Sequence, residues 1–517
     1  MEVGLVKAGL AAAGALLLGA DVLRGRRAHG RSRLIDAGLA LLGALAAACW
    51  WNLGLFNYPT FGHPSETYHY YLGAKYPELG YTNLYRCTAV AEAESGRRAA
   101  VEQRAARHLG TNRIVSGAEL LRDPEACKTR FTAERWQAFR RDLRFFRRQL
   151  RGPRWERSQL DHGYNATPAW GLLGAPLARA GPATERQILL LQLLDPLLLG
   201  LTGLAVWWAF GWRTLCVVLV YWGTNYPAQY GWVGGGYLRQ VEFAALFIGI
   251  CCLRRARPAA GGALLAMASL VRIFPVAAFA GVGLRALWEA VDARRLTLSR
   301  EHRRLALAAL ATAAIAVPLS SIAAGRPSAW MEFAENSRVL LGTPLRNHVG
   351  LGTLVAWDPS ATSRALLDPS LADPFEPWKR AREHRAGRRR WLFLAGVAGF
   401  AALLAAAVRR SEDWVATVLA LGLVPIAFEL TCYYWALLAA YALLWQRHPS
   451  IGAALCALSA AGWWIASPTH WYDELFYDET FTGISLATVV FVSFATVRCL
   501  LPSRPGPGSD LAGARSG

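Results

Sequence analysis

The stretch IDAGLALLGALAAACWWNLGLF at residues 35–56, followed six residues later by HPSETYHYYLGAKYPELGYTNLY at 63–85, decides how the chain is read. The first segment carries a single charge, Asp36, and as a helix rising 1.5 Å per residue it is long enough to cross a bilayer core. The second is polar and aromatic, with Glu66 set among Tyr68, His69, Tyr70, Tyr71 and Lys75. A carboxylate at a membrane exit, surrounded by phenols, an imidazole and an amine, is arranged more like a reaction centre than like a plain connecting loop.

Further apolar blocks begin near residues 4, 188, 213, 237, 259, 275, 304, 391, 414, 434, 450 and 482. Counted at about twenty residues per crossing, they predict an all-α polytopic membrane protein of about thirteen transmembrane helices. Two regions, about 57–187 and 326–390, are too polar to cross and are expected to be periplasmic loops carrying short amphipathic helices. Tryptophan pairs at Trp50 and Trp51, Trp207 and Trp208, and Trp463 and Trp464 mark the ends of apolar blocks, as amphipathic rings at headgroup level do. The amino-terminal block reads as a retained helix, because it has neither a strongly basic leader nor a clear small-residue cleavage site.

The net charge of +20 comes from 56 basic and 36 acidic residues, which in a soluble chain would point to nucleic acid. Here much of the excess sits in short arginine clusters between apolar blocks, the pattern that holds loops in the cytoplasm, so nucleic acid is not an expected partner. The clusters at Arg24 to Arg33, Arg254 to Arg257, Arg294 to Arg304, and Arg409 with Arg410 are separated by even numbers of predicted crossings. With all four inside, the loop carrying Glu66 faces the periplasm. Lysine occurs only at Lys7, Lys75, Lys128 and Lys379, and this arginine bias with abundant Ala and Gly points to a bacterial inner membrane.

The organisation that follows is an extra helix and basic loop over 1–34, a transmembrane core over 35–447, carboxy-terminal helices over 448–503 and a disordered tail over 504–517. Within the core, 258–288 has Arg272, Phe274 and Pro275 at its middle and basic residues on both flanks, which predicts a hairpin of two short helices meeting near Arg272. In AERWQAFRRDLRFFRRQL (133–150), Trp136, Phe139, Leu143 and Phe146 recur at helical spacing, predicting a basic amphipathic helix lying ring side down on the membrane. Cys87 and Cys127, isolated in the first polar region, are a candidate disulfide in an oxidising compartment.

Four stretches together resemble one family. SETYHYYLGAKY (65–76) is similar to the acidic and aromatic first-loop motif of GT-C integral-membrane glycosyltransferases, in the polyprenyl-phosphate-sugar-dependent branch that includes bacterial mannosyltransferases. HGYNATPAWGLLGAPLARA (162–180), AAGGALLAMASLVRIFPV (259–276) and LRNHVGLGTL (345–354) resemble further segments of that family in the same order. Glu66 stands where an aspartate is common, Arg272 where a lysine is common, and His348 with Val349 replaces a polar pair after Asn347.

The resemblance implies that an acceptor hydroxyl attacks the anomeric carbon of a lipid-linked sugar with inversion, and that the lipid phosphate leaves. Such a reaction needs a base and a cation for the phosphate. Glu66 is the expected base, with a solvated or capping carboxylate as the alternative. Arg272 is the expected phosphate ligand, since an ionised side chain between apolar helices is costly without an anionic partner; snorkelling to the interface or pairing with an acidic neighbour is the alternative. Arg346 and Lys75 are further phosphate candidates. Tyr68, His69, Tyr70, Tyr164, Asn165, Asn347 and His348 are candidate substrate contacts, each equally open to a structural role.

In GTNYPAQYGWVGGGYLRQVEF (223–243), Gln229 and Arg239 are secondary candidates beside a glycine turn. The acidic loop SPTHWYDELFYDETF (467–481) admits a divalent metal but reads first as solvated. No cofactor is expected; a divalent metal is possible but not expected. The implied partners are membrane lipids, the polyprenyl-phosphate sugar and a lipid or glycan acceptor. A lipid or solute transporter, possible for any chain with intramembrane arginines, and a catalytically inactive envelope protein remain the alternatives. An alkaline phosphatase reporter fused after residue 120 should be active, and the same reporter fused after residue 256 silent; the reverse pattern would refute the orientation.

Overall fold

Burial of backbone polar groups in lipid leaves a chain of this composition little choice but helix, and the computed structural model is mostly helical. It describes residues 2–24, 33–56, 58, 60–295, 297–470 and 478–501. Arg26, Arg27 and Arg31 of the first basic cluster, Asp473 and Glu474 of the acidic loop, and the 504–517 tail lie outside the described residues. Among the described residues eight helices are long and apolar enough to cross a membrane: Val3–Arg24, Arg33–Trp50, Glu185–Phe210, Phe274–Asp292, Arg300–Ala323, Arg390–Val408, Pro449–Ser467 and Asp478–Leu500. Leu310, Ile315 and Ile322 stand exposed along one of them, as side chains facing lipid would. This is the make-up of a multi-pass membrane protein.

The remaining apolar blocks form shorter elements. Pro258–Val271 and Val241–Arg254 have 14 residues each, Trp212–Thr224 has 13, and Cys432–Leu444 is a buried 3-10 segment of 13. At these lengths none reaches the eighteen residues of the shortest long helix, so the expected count of about thirteen crossings is not met by length alone.

The helix break at Arg272 is present. Pro275 cannot continue a helix and restricts Phe274 before it; Arg272 is extended, with φ −143° and ψ 131°. The two halves do not pair chiefly with each other. Pro258–Val271 packs on Val241–Arg254 and Arg300–Ala323, and Ala277–Asp292 packs on Asp413–Ala420. The expected hairpin is therefore a break whose arms diverge.

The first polar region is a packed layer, not a loose loop. Its helices Pro64–Lys75, Leu84–Glu92 and Ala133–Leu150 enclose Tyr68, Tyr71, Tyr76, Phe139, Phe146 and Trp155 in one apolar cluster. A two-stranded antiparallel sheet, Ala105–His108 against Arg113–Ser116, lies on it, with Ala105 opposite Ser116. Cys87 and Cys127 are disulfide-bonded, with Cα atoms 5.5 Å apart.

The Ala133–Leu150 helix forms as its periodicity requires, but it does not lie ring side down on lipid. Trp136, Phe139, Leu143 and Phe146 are buried in the protein, against the Pro64–Lys75 helix. Periodicity reports that a face is apolar, whereas the aromatic face of a second helix, rich in tyrosine, supplies the cover. The second polar region is tied down by Asp478, which accepts from the Trp378 indole at 2.9 Å and from the Ser363 N–H at 2.7 Å.

Phe146 is fully buried, so Phe146→Ala should cost about 3–5 kcal/mol in this layer. Thermal unfolding and limited proteolysis in detergent read the loss; an unchanged profile would mean that the ring face is not packed on protein.

Candidate active site

Glu66 lies in the first turn of the Pro64–Lys75 helix, where Pro64 occupies a position that needs no N–H and the His63 Nδ1 accepts the Glu66 N–H at 3.1 Å. Four residues on, Tyr70 shares its face. That face meets two arginines from the membrane core. Arg239 donates from Nη1 to Glu66 Oε1 at 2.5 Å and lies over the Tyr433 ring at 4.5 Å. Arg272 donates to the Tyr70 hydroxyl at 2.6 Å and to the Tyr434 hydroxyl at 3.4 Å, and its Nε lies 3.8 Å from Glu242.

The glycine turn explains how Arg239 reaches Glu66. The Gly235 carbonyl accepts the His63 N–H at 2.8 Å, and Gly235 has φ +64°. A Cβ at that position would collide with the Phe61 carbonyl, so glycine answers both the left-handed backbone and the close approach.

Below these pairs lies a cavity of about 170 Å³. Its lining includes the polar residues Arg272, Asn165, His162, His348, Glu429 and Tyr434 and the apolar residues Phe274, Phe333, Leu340, Leu341 and Phe428. Asn165 Oδ1 accepts the Tyr70 hydroxyl at 2.7 Å, so Tyr70 bridges Asn165 and Arg272. His348 is placed by its strand, with His348 opposite Thr431 and Val349 opposite Leu430. Its Nδ1 is 3.4 Å from Glu429, which is ion-paired with Arg382.

The structure thus brings Asn165, Arg272 and His348 to the cavity lining, with Tyr70 bonded to two of them, whereas Glu66 does not line the cavity and is joined to it through Arg239, which lies over the lining residue Tyr433. Tyr164 stands beside them, edge-on to Tyr70 at 5.8 Å. Other residues of the same motifs face elsewhere. Tyr68 bonds Thr88 at 2.9 Å, and His69 bonds the Tyr85 hydroxyl at 2.8 Å and the Ser158 carbonyl at 3.1 Å, all inside the first polar layer. Lys75 pairs with Asp142 at 2.8 Å and donates to the Tyr71 hydroxyl at 2.9 Å. Arg346 lies over the Phe375 ring at 3.5 Å, and the Asn347 carbonyl accepts the Cys432 N–H at 2.9 Å.

Sequence reasoning passed over Glu242, Glu429, Tyr433 and Tyr434 and ranked Arg239 second. A signal was present: Glu242 and Glu429 are lone carboxylates in apolar runs, which are costly unless paired. Among the described residues no group of three or more His, Cys, Asp or Glu side chains is arranged to hold a metal ion. The chain matches no protein-family model, no curated protein and no solved structure.

Chemically, the region offers a buried guanidinium in the cavity lining beside two phenols, a carboxylate held by a second guanidinium, and apolar side chains in the same lining. Burial, with Arg382 nearby, pushes the His348 imidazole down to about 3. His348 is therefore neutral in the fold but titrates near 6.5 when unfolded. The unfolded chain binds the extra proton between these values, so stability present above pH 6.5 is lost as pH falls toward 3. Between pH 7.5 and 4.5 this group should cost about 2–3 kcal/mol, and His348→Gln should remove that part of the loss in thermal melts at the two pH values.

Proposed function

We propose that the protein is an inverting membrane glycosyltransferase that moves a sugar from a polyprenyl-phosphate carrier to a lipid or glycan acceptor on the periplasmic side of a bacterial inner membrane. In this reading the shorter apolar helices complete the crossings, giving about thirteen. The observation that carries the proposal is Arg272, 6% exposed at a helix break and lining a cavity that also presents Phe274, Phe333, Leu340, Leu341 and Phe428. A fixed guanidinium with two phenolic neighbours suits a phosphate at the end of a hydrocarbon chain.

The acceptor hydroxyl oxygen attacks the anomeric carbon while the bond from that carbon to the phosphate oxygen breaks. The electron pair leaves on the phosphate, where Arg272 and the hydroxyls of Tyr70 and Tyr434 stabilise it. The hydroxyl proton passes to Glu66, one of whose oxygens is held by Arg239 and whose other oxygen acts as the base. Arg239 is then a positioning residue, held in turn by Tyr433.

Purified protein should transfer radiolabelled sugar from a polyprenyl-phosphate donor to extracted lipids. Glu66→Gln should lower the rate by about 100-fold or more, and Arg272→Met by about 100- to 1,000-fold. Transfer that survives Glu66→Gln would remove Glu66 as the base. Absence of transfer across several donors, with lipid or solute movement in reconstituted vesicles, would replace the reading with transport.

A further inference from the structure

A second concavity, of about 380 Å³, opens where the first polar layer meets the Ala329–Leu341 helix. Its size falls within the usual range for small-ligand sites, roughly 300–1,000 Å³. Thr82, Asn83, Arg130, Arg326, Glu335 and Asn336 line it. None of these residues takes part in the chemistry proposed above.

Asn336 is only 7% exposed, and its Nδ2 has no hydrogen-bond partner among the described residues. A buried amide donor left unsatisfied costs on the order of 1–3 kcal/mol, and native structures seldom leave one without a reason. Asn83, also 7% exposed, places its Nδ2 at a long 3.4 Å from Thr82 Oγ1. Two buried carboxamides therefore form part of the lining.

The charges of the groove balance. Arg326 pairs with Glu332 at 2.8 Å, and Arg130 faces the same concavity as Glu335. Two cations against two anions create no net attraction for a phosphate or an amine. What remains is a lining that carries amide and guanidinium donors together with amide and carboxylate acceptors, which complements a ligand built of neighbouring hydroxyls.

The position links this groove to the cavity. Phe333, Ser337 and Leu341 of the Ala329–Leu341 helix line the cavity, and Glu332, Asn336 and Val339 line the groove. One helix, about 10–12 Å across with its side chains, thus walls both. It ends at Leu341, and just beyond the end Thr343 Oγ1 accepts from Asn112 Nδ2 at 2.8 Å.

We propose that the groove is a binding subsite for a neutral oligosaccharide, holding the sugar units behind the reacting end of the acceptor, with the Ala329–Leu341 helix between groove and cavity. Its role in transfer rests on the glycosyltransferase reading; saccharide binding in the groove does not. The ligand spans more than one sugar unit, because a single ring in the groove would be separated from Arg272 by the width of the helix.

The test titrates the full chain in detergent, without donor, with mannotetraose, maltotetraose, chitotetraose and a tetrasaccharide of uronic acids, read by saturation-transfer NMR and thermophoresis. At least one neutral tetrasaccharide should bind, and more tightly than the acidic one. Asn336→Leu, which fills the floor and removes the donor, should weaken binding by about tenfold. Glu335→Gln, at an exposed position that does not endanger folding, should weaken it several-fold. No neutral binding up to about 20 mM, preference for the acidic sugar, or affinity unchanged in both variants would overturn the proposal. Saccharide binding with these dependences in a chain that transfers no sugar would support the groove and overturn the catalytic reading.

Discussion

A guanidinium withdrawn from water among apolar helices must meet an anion or a set of oriented acceptors, because a buried unpaired charge costs several kcal/mol. This chain meets that constraint twice in adjoining places. Arg239 is neutralised by Glu66, a residue 173 positions away, whereas Arg272 donates to the hydroxyls of Tyr70 and Tyr434 and has Glu242 3.8 Å from an Nε that makes no hydrogen bond. Both solutions depend on one helix, Pro64–Lys75, presenting Glu66 and Tyr70 on the same face. The first polar layer is thereby locked onto the membrane core.

The cavity follows from that lock. Once Arg272 is drawn toward Tyr70, the helix break around Pro275 forms one wall, and the short pairing of His348 and Val349 with Leu430 and Thr431 forms another. Phe333, Leu340 and Leu341 of the Ala329–Leu341 helix add apolar surface to the lining. A groove with balanced charge, on the other face of the same helix, is suited to a hydroxyl-rich ligand.

Glu66 and Arg272 were legible because each interrupts or borders an apolar run, and such charges require a partner. Their neighbours were not separable in the same way. Tyr68, His69 and Lys75 occupy the same motif as Glu66, yet each step along a helix turns the side chain by about 100°, and these three enter the layer core instead. Arg239 looked like the flank of a glycine turn until Gly235 was seen to approach Phe61 and His63. Trp136 and Phe146 announced an apolar face, but that face is served equally by lipid or by protein.

By itself, the sequence determined that the chain is helical and multi-pass, where its polar regions lie and where a helix must break, because lipid tolerates no unsatisfied backbone and proline supplies no N–H. The tertiary structure alone decided which carboxylate answers which arginine, which way the arms at Arg272 run and what covers the amphipathic helix. Those outcomes depend on packing between segments far apart in the chain, and hydrophobic periodicity describes a face without naming its partner.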